Sequence, residues 1–158
     1  MGVHLYSNGA WTDSGKIYRN SLNIFNSEIV QGGIATNGDM LSSQLRVRSL
    51  QPIANNQTYT ITTNKRIRLL FAFNNTTPVE LLADYGTIPP STHTFTMPAG
   101  TNILGIALCN PDPTTEIHPD DNIQVMLNIG SIALPYEPYN VVDWYTNNGH
   151  GYSSGAWS

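Results

Sequence analysis

Four arginines lie in two short runs whose spacing could form a single binding surface. Arg46 and Arg48 alternate with apolar residues in one run, and Arg66 and Arg68 do so in the other. In an extended strand alternate side chains point to the same face, so each pair faces away from its apolar neighbours. If the two strands share a sheet, the four guanidinium groups form one polar patch. A carboxylate or phosphate group of a ligand would bind there through paired hydrogen bonds.

An alternative interpretation gives these arginines no ligand. Their aliphatic stems would cover the sheet, and their charged ends would lie in solvent or pair with acids. The acids considered for such pairs are Asp84, Glu80 and Asp39. Planar amide side chains would extend a polar face of this kind, because each carries both a donor and an acceptor. The candidates for that extension are Gln124, Asn128 and Asn74.

The sequence lacks patterns typical of catalysis or of metal binding. With eleven acidic residues some carboxylates will be close by chance, but none lies in a glycosidase-like motif. Nucleophile elbows, phosphate-binding loops and dinucleotide fingerprints are also missing. We therefore predict a protein that is not an enzyme and that has no cofactor or metal. Four acids in the loop 110–122 leave a calcium site as an alternative, namely Asp112, Glu116, Asp120 and Asp121.

The composition argues against nucleic acid and membranes as partners. Charged residues make up 11% of the chain and the formal net charge is −4, whereas about 25% is typical of soluble domains. Seven Lys and Arg residues provide no basic stripe for a phosphate backbone. No apolar run has the length of a transmembrane helix, and the first residues do not resemble a signal peptide. The single cysteine, Cys109, is predicted to be a small buried residue.

Short runs rich in β-branched and aromatic residues predict an all-β fold, an antiparallel β-sandwich. The predicted strands span residues 21–25, 29–32, 45–50, 58–62, 66–74, 79–83, 92–97, 102–108 and 122–129. The run 102–108 is apolar on both faces, which is typical of a central strand. In the run 66–74, Leu70 and Ala72 are predicted to point away from the buried face, together with the arginines.

The phase of the predicted strands 58–62 and 92–97 also assigns a tyrosine and a histidine side chain. Tyr59 and His93 share the phase of buried residues, so both are predicted to be at least partly buried. The prolines at 135 and 138 exclude a central strand. The segment around them is predicted to be an extended strap whose Tyr136 and Tyr139 cover the core.

The chain is predicted to contain one module with two flanking segments. The module spans residues 21–140, and residues 1–20 form an N-terminal linker or edge strand. Residues 141–158 form a C-terminal linker or the start of a next module, because no strand pattern occurs in 143–158. A near-repeat of Tyr6 to Trp11 at Tyr152 to Trp157 indicates either tandem modules or a coincidence.

The order of short motifs between Asn23 and Tyr139 resembles a known family. The motifs are Asn23-Ile-Phe25, Leu45-Arg-Val-Arg48, Tyr59-Thr-Ile-Thr62, Arg68-Leu-Leu-Phe-Ala-Phe73, Phe95-Thr-Met-Pro-Ala-Gly100, Ile103-Leu-Gly-Ile-Ala107, Met126-Leu-Asn-Ile-Gly130 and Pro135-Tyr-Glu-Pro-Tyr139. Together they resemble the carbohydrate-binding β-sandwich modules of phage tail and baseplate proteins. The module inserted into enlarged distal tail proteins of phages of Gram-positive bacteria, such as lactobacilli, is the most similar type.

This resemblance implies a jelly-roll fold, no catalysis, and adhesion to host cell-wall polysaccharide during adsorption. The protein would then belong to the virion, at the tail tip or baseplate, and act outside the bacterial cell beside other tail proteins. The residues expected to contact carbohydrate are Arg46, Arg48, Arg68, Asn74, Asp84, Tyr85, Gln124 and Trp144.

Two of these residues would supply aromatic faces for sugar rings, Tyr85 at a loop tip and Trp144 in the C-terminal segment. The alternatives are that Tyr85 packs beneath its loop and that Trp144 docks on the module. The alternative function is a structural or protein-interaction spacer that binds no sugar.

Overall fold

A computed structural model of the chain describes residues 16–139 and 141–145. Within that part the backbone forms twelve strands and no helix, so no helix there is suited to crossing a membrane. The strands are β1 Lys16–Asn20, β2 Val30–Gln31, β3 Gly33–Ile34, β4 Met40–Leu41, β5 Val47–Pro52, β6 Thr58–Thr63, β7 Arg66–Asn74, β8 Thr77–Asp84, β9 Thr92–Thr96, β10 Ile103–Cys109, β11 Val125–Ile129 and β12 Val141–Tyr145.

The chain divides into two compact units, of which the larger spans Phe25–Tyr136. Its five-stranded sheet has the order β2-β5-β10-β7-β8, its three-stranded sheet has the order β11-β6-β9, and β3 pairs with β4 as a hairpin. Every pair of neighbouring strands is antiparallel. The predicted all-β fold with antiparallel sheets is therefore confirmed.

The smaller unit combines Met1–Ile24 with Glu137–Ser158. Its described part contains β1 and β12, which pair antiparallel with Lys16 opposite Tyr145. The carboxylate of Glu137 accepts a hydrogen bond of 2.7 Å from the backbone amide of Leu22. The expectation that residues 143–158 contain no strand is wrong for 143–145, because β12 extends through them.

Most of the predicted strands occur within one to three residues of their predicted limits. The predicted strand 21–25 is wrong, since this segment is irregular, and the predicted strand 29–32 shortens to β2. The predicted strands 79–83 and 122–129 agree less well at their N-terminal ends, since β8 begins at Thr77 and β11 at Val125. The earlier start of β8 follows from a tight turn in which Asn75 adopts a φ of 54°, a left-handed conformation that asparagine tolerates.

The central position of β10 explains why its residues are buried on both faces. Leu104 and Ile106 are 0% and 1% exposed on one face, and Ala107 is 0% exposed on the other. The prediction that this strand is central is confirmed. Its neighbour β7 is also buried on both faces, so the expectation that Leu70 and Ala72 point away from the core is wrong.

The hairpin of β3 and β4 covers one face of the five-stranded sheet. Ile34 from the hairpin packs in a cluster with buried residues of β7 and β10, which are Leu69, Phe71, Phe73 and Ala107. The hairpin therefore buries the second face of β7. The sequence does not predict this hairpin, because strands as short as β3 and β4 have no recognisable pattern.

The strap after β11 is irregular as predicted, but its tyrosines do not cover the core. Tyr136 is 45% exposed and Tyr139 is 51% exposed, so that expectation is wrong. Polar bonds tie the preceding turn instead: the Thr60 hydroxyl donates to the Gly130 carbonyl at 2.8 Å. The Asn128 amide donates to the Ile132 carbonyl at 2.9 Å.

Candidate functional site

All five basic side chains of residues 21–139 occur next to, or within, two strands of the five-stranded sheet. Arg46 and Arg48 lie at the start of β5, and Lys65, Arg66 and Arg68 lie at the start of β7. Both strands flank β10, so the condition under which their arginines could form one patch is met. We call Arg46, Arg66 and Arg68, together with Asp84, the cationic corner.

The register of the sheet aligns two of the corner arginines in one row. Leu108 lies opposite Val47, and continuing this register by one residue brings Cys109 level with Arg46, which directly precedes β5. On the other side Cys109 lies opposite Arg66, because the register shifts between Ala107 and Leu108. With about 4.8 Å between neighbouring strands, the backbones of Arg46 and Arg66 are about 10 Å apart.

Arg68 and Asp84 form the ion pair of the corner, with side chains that are 18% and 34% exposed. The interpretation in which Asp84 neutralises an arginine is therefore correct for Arg68. The backbone supports this arrangement, since the amide of Tyr85 donates to the Arg68 carbonyl at 3.0 Å. One carboxylate thus faces three guanidinium groups at this corner.

Arg46 is the corner arginine whose guanidinium has neither a hydrogen-bond nor an ion-pair partner among the described residues. Burial and the neighbouring charge of Arg68 lower the pKa of Arg46. Its stem lies over Gly33, where an added Cβ would be 3.1 Å from the Arg46 Cδ. A side chain at residue 33 would therefore require the Arg46 stem to shift by a few tenths of an ångström.

Cys109 lies beneath the guanidinium groups and is 1% exposed. Its predicted burial is confirmed. Burial raises the pKa of its thiol, while the charges of Arg46, Arg68 and Arg66 lower it by less. A buried thiol whose pKa is raised stays protonated at neutral pH, so it is not a nucleophile.

Arg48 does not join the corner. Its Nη1 donates to the carbonyls of Gly33 at 3.2 Å and Leu41 at 3.0 Å. It therefore fastens the β3–β4 hairpin to the sheet. Beside it, Leu50, Pro52 and Met40 line an open cavity of about 470 Å³. Arg48 thus has a structural role, but it also lines this cavity, so its predicted role in binding stays a prediction.

Tyr85 follows Asp84 but packs on a histidine beneath its loop. Its ring meets that of His93 edge-on, with centroids 5.4 Å apart and an angle of 76°, and its hydroxyl hydrogen-bonds the His93 Nδ1. His93 in turn stacks on Phe95 at 6.4 Å. The half-buried ring agrees with the alternative interpretation of Tyr85, and the predicted partial burial of His93 is confirmed.

The remaining predicted residues are not brought to the corner. Asn74 is at the opposite end of β7 from Arg68, about 20 Å away along the strand. The backbone amide of Gln124 bonds to the Asn64 side chain at 2.7 Å, on the connection that precedes β7. Trp144 lies in β12, and its side chain is outside the described part of the structure, as are Trp11 and Trp157.

The acids of the loop 110–122 serve the loop itself. Asp112 accepts hydrogen bonds from the amide and hydroxyl of Thr114 at 3.0 and 2.6 Å, and these bonds lower the pKa of its carboxyl. Asp121 accepts the backbone amide of His118 at 2.8 Å. Residues 16–139 and 141–145 contain no group of three or more metal-ligating side chains.

Sequence reasoning gave too little weight to Lys65 and Arg66, although both lie within three residues of Arg68. Lys65 reaches towards the loop after β10, where its Nζ donates to the Asn110 side chain at 3.1 Å. The cluster of three basic residues in four positions was the available signal. No pattern in the sequence indicated that Cys109 lies between Arg46 and Arg66, because this position depends on a register shift in β10.

Comparison of the chain with family models, with curated proteins and with solved structures finds no match. The resemblance to phage tail modules therefore stays a prediction.

The environment of His93 predicts how the stability of the larger unit depends on pH. Burial lowers the pKa of His93 in the folded protein, so the unfolded chain binds a proton more readily. Stability is then fully present above the unfolded value of about 6.5 and is lost as the pH falls below it. Urea unfolding midpoints should decrease between pH 7.5 and 5.5. His93→Gln should show a weaker decrease, and an equal decrease in both proteins would contradict this assignment.

Proposed function

We propose that this chain is a non-catalytic carbohydrate-binding module of a phage tail protein, which adheres to the cell-wall polysaccharide of its host. Its fold would be a β-sandwich of jelly-roll type, since two antiparallel sheets with buried apolar residues lie in one compact unit. The observation that carries the proposal is the unpartnered Arg46 beside Arg68. A half-buried cation next to another cation is stabilised when an external anion binds to it.

The composition of the chain favours a glycan over other anionic ligands. Only 11% of its residues are charged, so a binding surface beyond the corner would rely on neutral donors and acceptors. Sugar hydroxyl groups are suited to such partners. Arg46 and Arg68 would hold a charged group of the glycan.

The setting of a phage tail follows from the family resemblance. Binding by one module would be weak, because sugars exchange hydrogen bonds to water for hydrogen bonds to protein. Several copies on one tail would raise the apparent affinity through avidity. The module would then act outside the bacterial cell, with wall polysaccharide and other tail proteins as its partners.

Cell labelling tests this proposal. A fluorescent fusion of the whole chain should label Gram-positive host cells, and excess purified wall polysaccharide should compete with it. The double variant Arg46→Ala/Arg68→Ala should lose labelling by about tenfold or more, since two charge-assisted contacts are removed. Equal labelling of strains that lack the polysaccharide would contradict the proposal.

One observation favours a spacer or protein-interaction module as the second candidate. The edge strand β8 has its outer side exposed, with Val79 48% and Leu81 38% exposed, and Ile88 in the following loop is 86% exposed. Apolar residues on a free sheet edge are suited to pairing with another protein chain. If the chain binds no sugar on a glycan array but forms a defined complex with another tail protein, this second function would be supported instead.

A further inference from the structure

The cationic corner contains more positive charge than its protein partners neutralise. Of its three arginines, Arg68 alone forms an ion pair within the described residues, and its partner is Asp84. Arg66 donates to a neutral backbone oxygen, the carbonyl of Lys65, at 3.0 Å. The corner therefore has the charge of two arginines that no ion pair within the described residues neutralises.

The two available arginines approach from opposite sides of one strand. Arg46 lies on the β5 side of Cys109 and Arg66 on its β7 side. Side chains of directly paired residues lie on the same face of a sheet. An arginine side chain is long enough to cover half of the gap of about 10 Å between the two backbones. A ligand above Cys109 can therefore contact both guanidinium groups.

The geometry distinguishes between two kinds of anion. A carboxylate is planar, and the fork of one guanidinium satisfies both of its oxygens. A phosphodiester is tetrahedral, and its two unesterified oxygens point in different directions. Two guanidinium forks on opposite sides can each bind one of those oxygens, which suits the arrangement of Arg46 and Arg66.

We propose that the cationic corner binds the phosphodiester groups of a phosphate-bearing wall glycan, with Arg46 and Arg66 as the two forks. Arg68 contributes a third donor. Asp84 holds the Arg68 guanidinium in place and competes with the ligand for it. This inference rests on the proposed function, because it names the class of polysaccharide that the module takes. Each repeat unit of such a polymer would present one phosphodiester to one module.

Calorimetric titration of the whole chain with four soluble polymers of matched length tests this proposal. The probes are poly(glycerol phosphate), polygalacturonate, dextran and a single-stranded DNA oligonucleotide. Poly(glycerol phosphate) should bind about tenfold more tightly than polygalacturonate, and its affinity should fall as salt is raised. Dextran and DNA should bind more weakly still, since the first lacks charge and the second needs an extended basic surface.

Variants of the corner test the role of each group. Arg46→Ala should weaken the binding of poly(glycerol phosphate) by about tenfold, and Arg46→Lys should restore only part of it, because an ammonium is not a fork. Asp84→Asn frees Arg68 and should strengthen binding severalfold. Glu80→Gln is the matched control, since it changes the net charge equally on an exposed part of the same strand. Unfolding midpoints would show that each variant is folded.

The outcomes separate this inference from the proposed function. Tighter binding of polygalacturonate or dextran than of the phosphate polymer would overturn the inference and leave a glycan-binding module. Equal binding of DNA and poly(glycerol phosphate) would overturn both, because the recognition would not be directed at a glycan. Full affinity in Arg46→Lys, or an equal gain in Glu80→Gln and Asp84→Asn, would overturn the assignment of the forks.

Discussion

Replacing Gly105 with valine should destabilise the larger unit by about 3 kcal/mol. Gly105 lies in the middle of β10, opposite Leu50 on one side and Phe71 on the other. A Cβ at this position would be 2.6 Å from the Phe73 Cε1 and 2.9 Å from the Ile34 Cδ1. Phe73 and Ile34 are 3% and 2% exposed, so neither can move without displacing other core atoms. Urea denaturation followed by far-UV circular dichroism measures the loss.

A double-mutant cycle identifies the cause of that loss. Gly105→Ala alone should cost about 2 kcal/mol, and Ile34→Val alone about 1 kcal/mol. The double variant should cost less than the sum, because valine lacks the Cδ1 that the new methyl group would meet. Strict additivity of the two substitutions, or a wild-type midpoint for Gly105→Val, would show that the hairpin does not pack on this face.

The strands that sequence reasoning located correctly are those with long apolar patterns. β6, β7 and β10 alternate or are continuously apolar over six residues or more, and such runs have few other stable arrangements. The hairpin of β3 and β4 was not predicted, because two residues per strand are too few to show an alternation of apolar and polar residues. It is held by contacts with residues distant in sequence, and these are visible only in the folded chain.

The candidate site was predictable in outline and not in detail. The alternation of arginines indicated a shared polar patch on the condition that the two strands lie in one sheet, and the structure meets that condition. The sequence does not predict which arginine is bound by protein groups. Arg48 binds two carbonyls of the hairpin and Arg68 binds Asp84, and these partners are brought close only by the fold. The alignment of Arg66 with Arg46 depends on an irregular register in β10, and no local preference of the sequence specifies it.

The opposite roles of two neighbouring arginines lead to the second large effect. Arg48→Met should destabilise the larger unit by about 2–3 kcal/mol, because two hydrogen bonds from a charged donor are lost. Methionine retains most of the apolar stem, so the loss reports on the guanidinium rather than on packing. The unpaired carbonyls of Gly33 and Leu41 would loosen the hairpin from the sheet, and hydrogen exchange should accelerate in β3 and β4 before the rest of the unit.

Arg46→Met is the matched control for that experiment. The Arg46 guanidinium has no described partner, so its removal should change stability by about 0.5 kcal/mol or less. It also relieves the repulsion with Arg68, which favours the folded state. The two substitutions should therefore separate stability from binding: Arg48→Met lowers the unfolding midpoint, whereas Arg46→Met lowers ligand affinity. Equal midpoints for the two variants would mean that Arg48 does not fasten the hairpin, and that the distinction between the two arginines is wrong.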